Sequence, residues 1–519
     1  MTGKNVSRLN QNELISEISK LNIKKSGGHD NVSPKLLKEN TDIFIKPLVH
    51  LINLSLQTGI VPDKLKIAKV IPIYKKDERF YVNNYRPISL LSTINKLLEK
   101  LMYKRLISFL NVHKILYSYQ FGFRENYSTT LALIEITDNI LHDLENGKFV
   151  CGIYLDLSKA FDTVDHNILL SKLHHYGIRG QPLLWFKSYL SNRKQYTVCN
   201  GKKSSLQVVT HGVPQGSVLG PLLFLLYTND IIKCIDIECK LRLFADDSNV
   251  FVSRNTAGEL KLAIRDILRK LFDWFAANKL TVNLDKTCYT IFKTKNRVIP
   301  AILNNISFDN ITIAKVENKN YLGVYLDENL NWQKHIKELE TTLIKISNSF
   351  KIIKHKIPNE NKLLLYYAYI YSKIQYGIEV FGSASNTVLQ QIQTKQNRAL
   401  KILFDKDYFT PTNELHKDLG VLLVSDIYKL YLVKFIYKHQ HNMLPEVFDN
   451  YFVTNDTIHR YHTRQNNKLH ISHCKNMCGK KMVKTKGIQF WNELPEIIRY
   501  SNSIKSFTNG VKHYLLKYY

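Results

Sequence analysis

The stretch Phe244-Ala245-Asp246-Asp247 constrains the fold most, because it places two adjacent carboxylates at a tight turn between two apolar strands. Two sets of side chains alternate on each side of the turn, which is the period of a β-strand: Leu241, Leu243 and Ala245 with Arg242, Phe244 and Asp246, then Val250 and Val252 with Asn249 and Phe251. Asp247-Ser248, between the two halves, has the chemistry of a hairpin turn. Asp is also favoured in ordinary turns, so the pair alone indicates a hairpin and no more.

A second segment adds another carboxylate, which indicates that the hairpin has a chemical role. Residues 150–155 are mostly apolar, as in a buried strand, and the next residue is Asp156. A carboxylate at the end of a core strand needs a partner or a metal ion, because removing it from water is unfavourable. If this strand lies beside the hairpin, Asp156 and Asp246 converge. Mg²⁺ takes oxygen ligands and shares substrate phosphates, and a pair of such ions supports in-line displacement at phosphorus, as in polymerases.

Further motifs come in a fixed order around these two segments. In chain order they are Lys25–Asp30, Val70–Lys76, Asn84–Leu91, Gln120–Arg124, Ser128–Thr130, Asp156–Asp162, Gly212–Pro221, Phe244–Asp247, Asn278–Leu280 with Asn283 and Lys286, Tyr321–Val324, and Leu326–Asp327. From about Lys24 to the C-terminus, the series resembles the reverse transcriptases of non-LTR retrotransposons, of the LINE or jockey-like kind.

The resemblance implies an α+β fold shaped as a right-hand polymerase, with an antiparallel sheet in the palm and a helical thumb. It divides the chain into a helical lead-in (1–22), fingers (23–149), palm (150–335), thumb (336–407) and a basic, helical C-terminal region (408–519). It also implies an RNA-directed DNA polymerase, a nucleotidyltransferase that acts on an RNA template, a DNA primer and deoxynucleotides.

The catalytic residues follow from the same motifs. Asp156 and Asp246 are expected to bind two Mg²⁺ ions directly, with Asp247 close by as a further ligand and Mn²⁺ as a possible substitute metal. The resemblance implies that the backbone carbonyl of Leu157 supplies another ligand oxygen. It makes Lys286 a candidate general acid for the departing pyrophosphate.

Phe161 is the candidate residue for recognition of the sugar. The resemblance places this side chain, five residues beyond Asp156, under the sugar of the incoming nucleotide. A bulky ring there excludes a ribose 2′-hydroxyl, so we predict incorporation of deoxynucleotides. Phe161 can equally be the first core residue of a helix, and the two interpretations are compatible.

The remaining nucleotide contacts are predicted from turns and from charge. Gln215 and Gly216 lie in a Gly/Pro-marked turn, where the backbone can approach a ligand closely. Arg86 is expected to hold the triphosphate, because its planar fork suits phosphate and Pro87 would keep it in an ordered turn. Either Lys75 or Lys76 would assist it, and the sequence does not choose between them.

Charge and cysteine content restrict the partners and the compartment. Lys and Arg number 73 against 44 Asp and Glu, a formal charge of +29, which favours a polyanionic partner over a merely lysine-rich surface because the charge is spread along the chain. The seven cysteines are scattered and no secretory leader precedes them, so we expect a reducing intracellular location, nuclear or cytoplasmic. No apolar stretch is long enough for a membrane span.

Four helices are predicted outside the motifs. Residues 93–110 are rich in Leu and Lys, and apolar residues at three- and four-residue steps from Ile336 to Phe350 form one stripe that ends before Pro358. Two more helices are expected at residues 363–376 and 389–404.

The C-terminal region offers a further motif and a possible metal site. Trp491–Pro495 resembles an element found near the end of these retrotransposon polymerases. The residues with zinc-ligand chemistry are His459, His462, His470, His473, Cys474 and Cys478. Their spacing matches no standard zinc motif, so we do not expect zinc.

Retrotransposons of this type usually encode an endonuclease ahead of the polymerase, and there is no space for one before Lys24. We therefore expect the chain to be a fragment of a longer protein or a truncated copy. The endonuclease would come from a missing upstream segment or in trans. A ribonuclease H module is not apparent.

Two other functions remain open. An RNA-dependent RNA polymerase or an intron-encoded maturase would use the same carboxylates, although Phe161 and the Phe244–Asp247 turn argue against the RNA polymerase. A catalytically silent nucleic-acid binder with the same fold would bind RNA in a salt-dependent manner and extend no primer.

Overall fold

The computed structural model describes residues 1, 8–458 and 468–519. Two larger sheets and a two-stranded hairpin are surrounded by helices, which agrees with the predicted α+β class. The strands are β1 (Ile67–Tyr74), β2 (Tyr85–Leu91), β3 (Phe149–Leu155), β4 (Arg193–Cys199), β5 (Lys202–Lys203), β6 (Gln207–Val209), β7 (Lys240–Phe244), β8 (Asp247–Arg254), β9 (Cys288–Phe292), β10 (Ile306–Phe308), β11 (Ile311–Lys315), β12 (Asn318–Tyr321) and β13 (Val324–Asp327).

The first group of helices precedes β9 in the sequence. They are α1 (Gln11–Ser19), α2 (Pro34–Glu39), α3 (Thr41–Thr58), α4 (Thr93–Val112), α5 (Thr129–Glu145), α6 (His166–His175), α7 (Gln181–Leu190), α8 (Gly220–Thr228) and α9 (Ala257–Ala277). Helix α4 confirms the prediction for residues 93–110; the side chain of Ser92 caps its N-terminus by accepting a hydrogen bond from the backbone N–H of Ile94.

The second group of helices follows β13. They are α10 (Gln333–Ile353), α11 (Asn359–Leu365), α12 (Ser372–Gln375), α13 (Ile378–Phe381), α14 (Asn386–Leu403), α15 (Thr412–Asp418), α16 (Val424–Gln440), α17 (Asn455–Ile458), α18 (Met477–Lys481), α19 (Val483–Glu493), α20 (Glu496–Arg499) and α21 (Ile504–Leu516).

The helices predicted after residue 335 are confirmed, with one interruption. Helix α10 buries its predicted apolar stripe, and α14 covers the range expected for residues 389–404. The expected single helix at 363–376 is wrong in detail, because Tyr366–Tyr371 forms a π-helical turn between α11 and α12. The π turn inserts an extra residue into the helical repeat, which a search for a 3.6-residue period does not detect.

The central sheet has six strands in the order β10-β11-β9-β3-β8-β7. Its middle strand β3 pairs antiparallel with both β8 and β9, while β11 and β9 are parallel. Successive β3 residues point to opposite faces, so Ile153 enters one hydrophobic core and Tyr154 enters the other. Helices cover both faces, which explains why the β3 sequence is almost continuously apolar.

The second sheet carries Arg86 on β2, and Lys75 and Lys76 directly follow its strand β1. Strand β1 pairs antiparallel with β2 and parallel with β4, and β4 also pairs with β5 and β6. Ser89 of β2 donates its backbone N–H to the carbonyl of Gln215 at 2.8 Å. This bond ties the second sheet to the turn that precedes α8.

The C-terminal helices pack directly on the central part of the molecule. Helix α16 contacts α19 and α21, and α18 and α19 contact α5, which covers one face of the central sheet. In the part of the chain that the structure describes, no helix has both the length and the apolar character needed to cross a membrane.

Candidate active site

Strands β3 and β8 bring the predicted carboxylates together. Leu155, the last residue of β3, pairs with Ser248, so Asp156 follows at the same end of the sheet at which Asp247 begins β8. Phe244 pairs with Asp247 across the β7–β8 hairpin. The predicted adjacency of the two segments is therefore confirmed, and Asp156 interacts electrostatically with both Asp246 and Asp247.

The hairpin turn lies two residues before its predicted position. Ala245 and Asp246 form it, and Asp247-Ser248 already belongs to β8, so the expected turn at Asp247-Ser248 is wrong. Ala245 adopts a positive φ of 58°, and its N–H donates to the side-chain oxygen of Gln120 at 3.1 Å. The tertiary contact stabilises a backbone conformation that Ala rarely adopts.

The three carboxyl groups repel one another. Burial raises the pKa of Asp246, and the nearby charge of Asp156 adds to this, while Lys75 and Arg86 act in the opposite direction. Removal of water by the surrounding protein raises the pKa of Asp247 to about 6, with further contributions from Asp246 and Asp156, although part of this side chain is exposed. A cation between the carboxylates would relieve this repulsion.

Lys286 and the segment before it surround Asp156. The ammonium of Lys286 lies 3.2 Å from Oδ2 of Asp156. The backbone carbonyl of Asp156 accepts a hydrogen bond from Asn283 N–H at 2.8 Å, and Ser158 N–H donates to the carbonyl of Thr281 at 2.9 Å. These two bonds flank Leu157, which lies opposite Val282 in an antiparallel bridge. At such a non-hydrogen-bonded position, the carbonyl of Leu157 takes no part in the bonds between the two segments.

A cleft of about 910 Å³ runs from the carboxylates to the second sheet. Most of the predicted site residues line it. These are Asp156, Leu157, Phe161, Asp246 and Lys286 from the central part, Gln215 and Gly216 from the turn before α8, Lys75 directly after β1, and Arg86 from β2. Asp247, the first residue of β8, follows Asp246 and is outside the cleft lining.

The structure distinguishes the two candidate lysines of the fingers. Lys75 lines the cleft and acts on Asp246, whereas Lys76 is outside the cleft lining, with its ammonium 3.8 Å from Asp77. Arg86 also lines the cleft, but it lies on strand β2 opposite Ile73, so the expectation that it belongs to a turn is wrong. Pairing with β1 overrides the turn preference of the following proline.

Phe161 is part of an aromatic stack. It lies in a short 3₁₀ turn (Ala160–Asp162), packs parallel to the buried ring of Phe224 at 4.5 Å and meets Phe123 edge to face at 6.1 Å. The helix expected to begin at Phe161 is absent from this turn; the next helix is α6. The ring is only half-buried and one side is open to the cleft.

Gly216 lets the turn approach β2 closely. Its φ is +110°, and a Cβ at this position would lie 2.9 Å from the carbonyl oxygen of Ser89. The side chain of the preceding Gln215 donates to both carboxylate oxygens of Asp162, at 3.0 and 3.1 Å.

Two cleft residues had no role in the sequence-based prediction. Asp162 contacts Gln215, and Phe123, 52% exposed, faces Phe161 with a backbone φ of +54°. Both lie within the motifs given above, Phe123 next to Gly122 and Asp162 next to the candidate residue Phe161, and this proximity was the signal in the sequence. Their side-chain contacts depend on loops that are distant in sequence.

The residues considered for zinc do not all lie in the described part of the chain. His459 and His462 fall outside it. His470 hydrogen-bonds to Asn455, and the thiol of Cys474 lies 3.9 Å from the hydroxyl of Thr485. Over residues 8–458 and 468–519, no three His, Cys, Asp or Glu side chains form a group that could hold a metal ion by themselves.

Comparisons with known proteins identify a domain in this chain. Residues 73–326 match a family described as reverse transcriptase (RNA-dependent DNA polymerase). The chain is similar to a probable RNA-directed DNA polymerase from transposon BS of Drosophila melanogaster, with 31% identity over 80% of this chain and 46% of the relative. It is also similar to the RNA-directed DNA polymerase from mobile element jockey of Drosophila funebris, with 29% identity over 80% of this chain and 46% of the relative.

The chain spans about half the length of the curated relatives it matches. Among solved structures it is similar to telomerase from Candida albicans in complex with a fragment of telomeric RNA, with a TM-score of 0.39 and 12% identity, over 75% of this chain and 71% of that one. From the family match and the curated relatives, residues 73–326 are a reverse transcriptase domain with the right-hand polymerase fold, and over 80% of its length the chain is similar to RNA-directed DNA polymerases of non-LTR retrotransposons.

Proposed function

We propose that this chain is an RNA-directed DNA polymerase, which adds deoxynucleotides to the 3′-hydroxyl of a DNA primer paired with an RNA template. One observation carries the proposal: β3 and β8 hold Asp156 beside Asp246 and Asp247 at one end of a cleft that Lys75 and Arg86 also line. Carboxylates with basic side chains close to them, in one cleft, suit a nucleoside triphosphate with its metal ions.

The cofactor of this reaction would be a pair of Mg²⁺ ions, which Mn²⁺ could replace. The carboxylates of Asp156, Asp246 and Asp247 and the carbonyl of Leu157 would hold them, and the raised pKa values of Asp246 and Asp247 fit a site completed by cations. Mg²⁺ is often bound by few carboxylates plus substrate phosphates, so a complete protein cage is not required. When bound, the ions stabilise the attacking and the leaving oxygen.

The protein's own side chains would bind and orient the nucleotide. Arg86 and Lys75 would hold the phosphates, and Lys76 would contribute only through its charge. The ammonium of Lys286, next to Asp156, would supply a proton to the leaving pyrophosphate. The ring of Phe161 would contact the sugar. Gln215 would contact the nucleotide, with Gly216 behind it.

We also propose that the chain is organised as the sequence suggests, with a lead-in (1–22), fingers (23–149), palm (150–335), thumb (336–407) and C-terminal region (408–519). The partners would be the RNA template, the DNA primer and deoxynucleotides, together with an endonuclease from a longer form of the protein or in trans. The charge of +29 supports partners that are polyanions.

Primer extension tests the proposal. An RNA template with an annealed DNA primer, Mg²⁺ and either deoxynucleotides or ribonucleotides is supplied to the wild type, to Asp246→Asn and to the control Asp236→Asn, an exposed carboxylate paired with Lys270. We expect extension with deoxynucleotides by the wild type and the control, and roughly a hundredfold less or lower still by Asp246→Asn.

Each alternative has its own outcome in this assay. Extension with ribonucleotides only would indicate an RNA polymerase. A folded wild-type protein that binds RNA but extends no primer would support the catalytically silent binder. Equal extension by Asp246→Asn would contradict the assignment of the catalytic site.

A further inference from the structure

The turn that carries Gln215 is fixed from three sides. Its backbone carbonyl accepts the N–H of Ser89 at 2.8 Å, and the buried carboxylate of Glu99 accepts the N–H of Val218 at 2.6 Å. On the third side, Asp162 accepts the side-chain amide of Gln215. Both the backbone and the side chain of Gln215 are therefore held before any nucleotide arrives.

The segment that carries Asp162 is held equally closely to the same turn. Val213 N–H donates to the carbonyl of Phe161, and Gly212 N–H donates to the carbonyl of Val164, both at 2.8 Å. Gly212 has a φ of +79°, and a Cβ there would lie 2.7 Å from the backbone oxygen of Asp162, so the two segments are in contact at the backbone level. The separation of the Asp162 and Gln215 side chains is thus set by rigid elements.

The chemistry of this pair determines which way the amide points. An ionised carboxylate only accepts hydrogen bonds, so the NH₂ group of Gln215 must face Asp162. Nε2 lies at nearly equal distances, 3.0 and 3.1 Å, from the two carboxylate oxygens. The carbonyl oxygen Oε1 is the other end of the amide, and Gln215 and Asp162 both line the cleft.

We propose that Asp162 is a positioning residue that fixes the amide of Gln215 with its oxygen toward the cleft, so that Gln215 recognises a hydrogen-bond donor on the incoming nucleotide. This inference rests on the proposed polymerase function. The donor is a hydroxyl of the sugar or an N–H of the base. A sugar hydroxyl is common to the four deoxynucleotides, whereas base N–H groups differ among them.

An exchange of the two groups, which conserves their total charge, tests the pair. Asp162→Asn lets the amide of Gln215 turn over, and Gln215→Glu places two carboxylates in contact, so each should raise the KM for deoxynucleotide about tenfold or more with a smaller change in kcat. In the double variant the amide introduced at position 162 can donate to the carboxylate introduced at position 215, whose second oxygen still faces the cleft. The KM should then return to within about threefold of the wild-type value.

A matched control separates positioning from general loss of a carboxylate. Asp165, three residues further along, caps α6 and pairs with Lys279 at 2.7 Å, away from the cleft lining. Asp165→Asn should lower stability and leave the KM unchanged. The four deoxynucleotides are assayed separately: an equal rise in KM assigns the donor to the sugar, and a rise confined to some bases assigns it to the base.

Equilibrium binding of deoxynucleotide to the protein with a chain-terminated primer on its template gives a readout without turnover. Weaker binding by both single variants and recovery in the double variant support the proposal. Equal binding by all four proteins overturns it, as does a double variant no better than Gln215→Glu. A wild type that binds nucleotide with this pattern but extends no primer overturns the polymerase function alone, and a wild type that binds none overturns both.

Discussion

At the scale of single residues, Phe161 is the side chain whose role is most directly testable. Its ring packs on Phe224 and meets Phe123, so it has little freedom to move away from a ligand in the cleft. Phe161→Val removes the ring at that face. We expect incorporation of ribonucleotides relative to deoxynucleotides to rise about tenfold or more, equivalent to about 1.4 kcal/mol, measured in competition during primer extension.

Phe161→Tyr is the matched control, because it keeps the ring and its stacking on Phe224. Discrimination by this variant should stay close to that of the wild type. If Phe161→Val rejects ribonucleotides as strongly as the wild type does, the ring is a core residue only and another group selects the sugar.

Asp247 should give the protein a pH-dependent stability in the absence of divalent ions. Its pKa is raised to about 6 in the folded protein, so folding favours the protonated carboxyl, and stability falls as the pH rises from about 4 through 6. The Asp247→Asn variant has no ionisable carboxyl group at this position. Because the side chain is partly exposed, we expect the variant to be more stable than the wild type at pH 8 by only about 1 kcal/mol.

Urea unfolding in the presence of a chelator, at pH 4.5 and pH 8, measures this difference. The gain from Asp247→Asn should be largest at pH 8 and nearly absent at pH 4.5. Adding Mg²⁺ at pH 8 should stabilise the wild type more than the variant. An equal gain at both pH values would show that carboxylate repulsion is not its cause.

At the scale of elements, the sequence predicts best where one physical rule dominates. β3 and the β7–β8 hairpin were predicted from alternation and apolar runs, and their adjacency from the need of Asp156 for a partner, because these patterns reflect burial on a sheet. The α10 stripe was predictable for the same reason, since its apolar side chains face one core.

Prediction failed where a contact between distant segments decides the local structure. Pairing with β1 makes Arg86 a strand residue, and the bond to Gln120 moves the hairpin turn to Ala245 and Asp246. The same limit applies to the candidate site. The choice of Lys75 over Lys76 and the contact of Asp162 with Gln215 depend on how two elements meet, which no single segment contains.

Gly122 packs against the backbone of the β7–β8 turn, from a segment that is distant in sequence. A Cβ on Gly122 would lie 2.4 Å from the backbone nitrogen of Ala245, next to Asp246. Gly122→Ala must therefore displace the β7–β8 turn or the segment itself. We expect primer extension to fall about tenfold or more and the unfolding midpoint to drop, measured by extension assay and thermal unfolding.

Gly258→Ala is the control for Gly122→Ala. Gly258 is in the first turn of α9, and a Cβ there meets no atom within 4 Å. Alanine should leave extension unchanged and stabilise the protein by up to about 1 kcal/mol. Full activity in Gly122→Ala would mean that the β7–β8 turn tolerates a shift.

At the scale of the whole molecule, the C-terminal helices are part of the structure that supports the central sheet. Helix α5 packs on β3, and the buried carboxylate of Asp138 in α5 accepts the N–H groups of Val483 and Lys484 at 2.7 and 2.8 Å and the hydroxyl of Tyr451. Asp138 therefore satisfies the free N–H groups at the start of α19, a helix whose first residue is 345 positions away in sequence.

Asp138→Asn should weaken this connection, because one carboxylate oxygen is replaced by an NH₂ group, which then faces the N–H of Val483 or of Lys484. We expect a loss of about 2 kcal/mol in the free energy of unfolding, and about 1 kcal/mol for Tyr451→Phe, which removes one donor and leaves the carboxylate. Asp273→Asn, at an exposed position of α9, is the control and should change little. Chemical unfolding measures the three values. If Asp138→Asn is as stable as the control, the C-terminal helices are held to α5 by apolar packing alone.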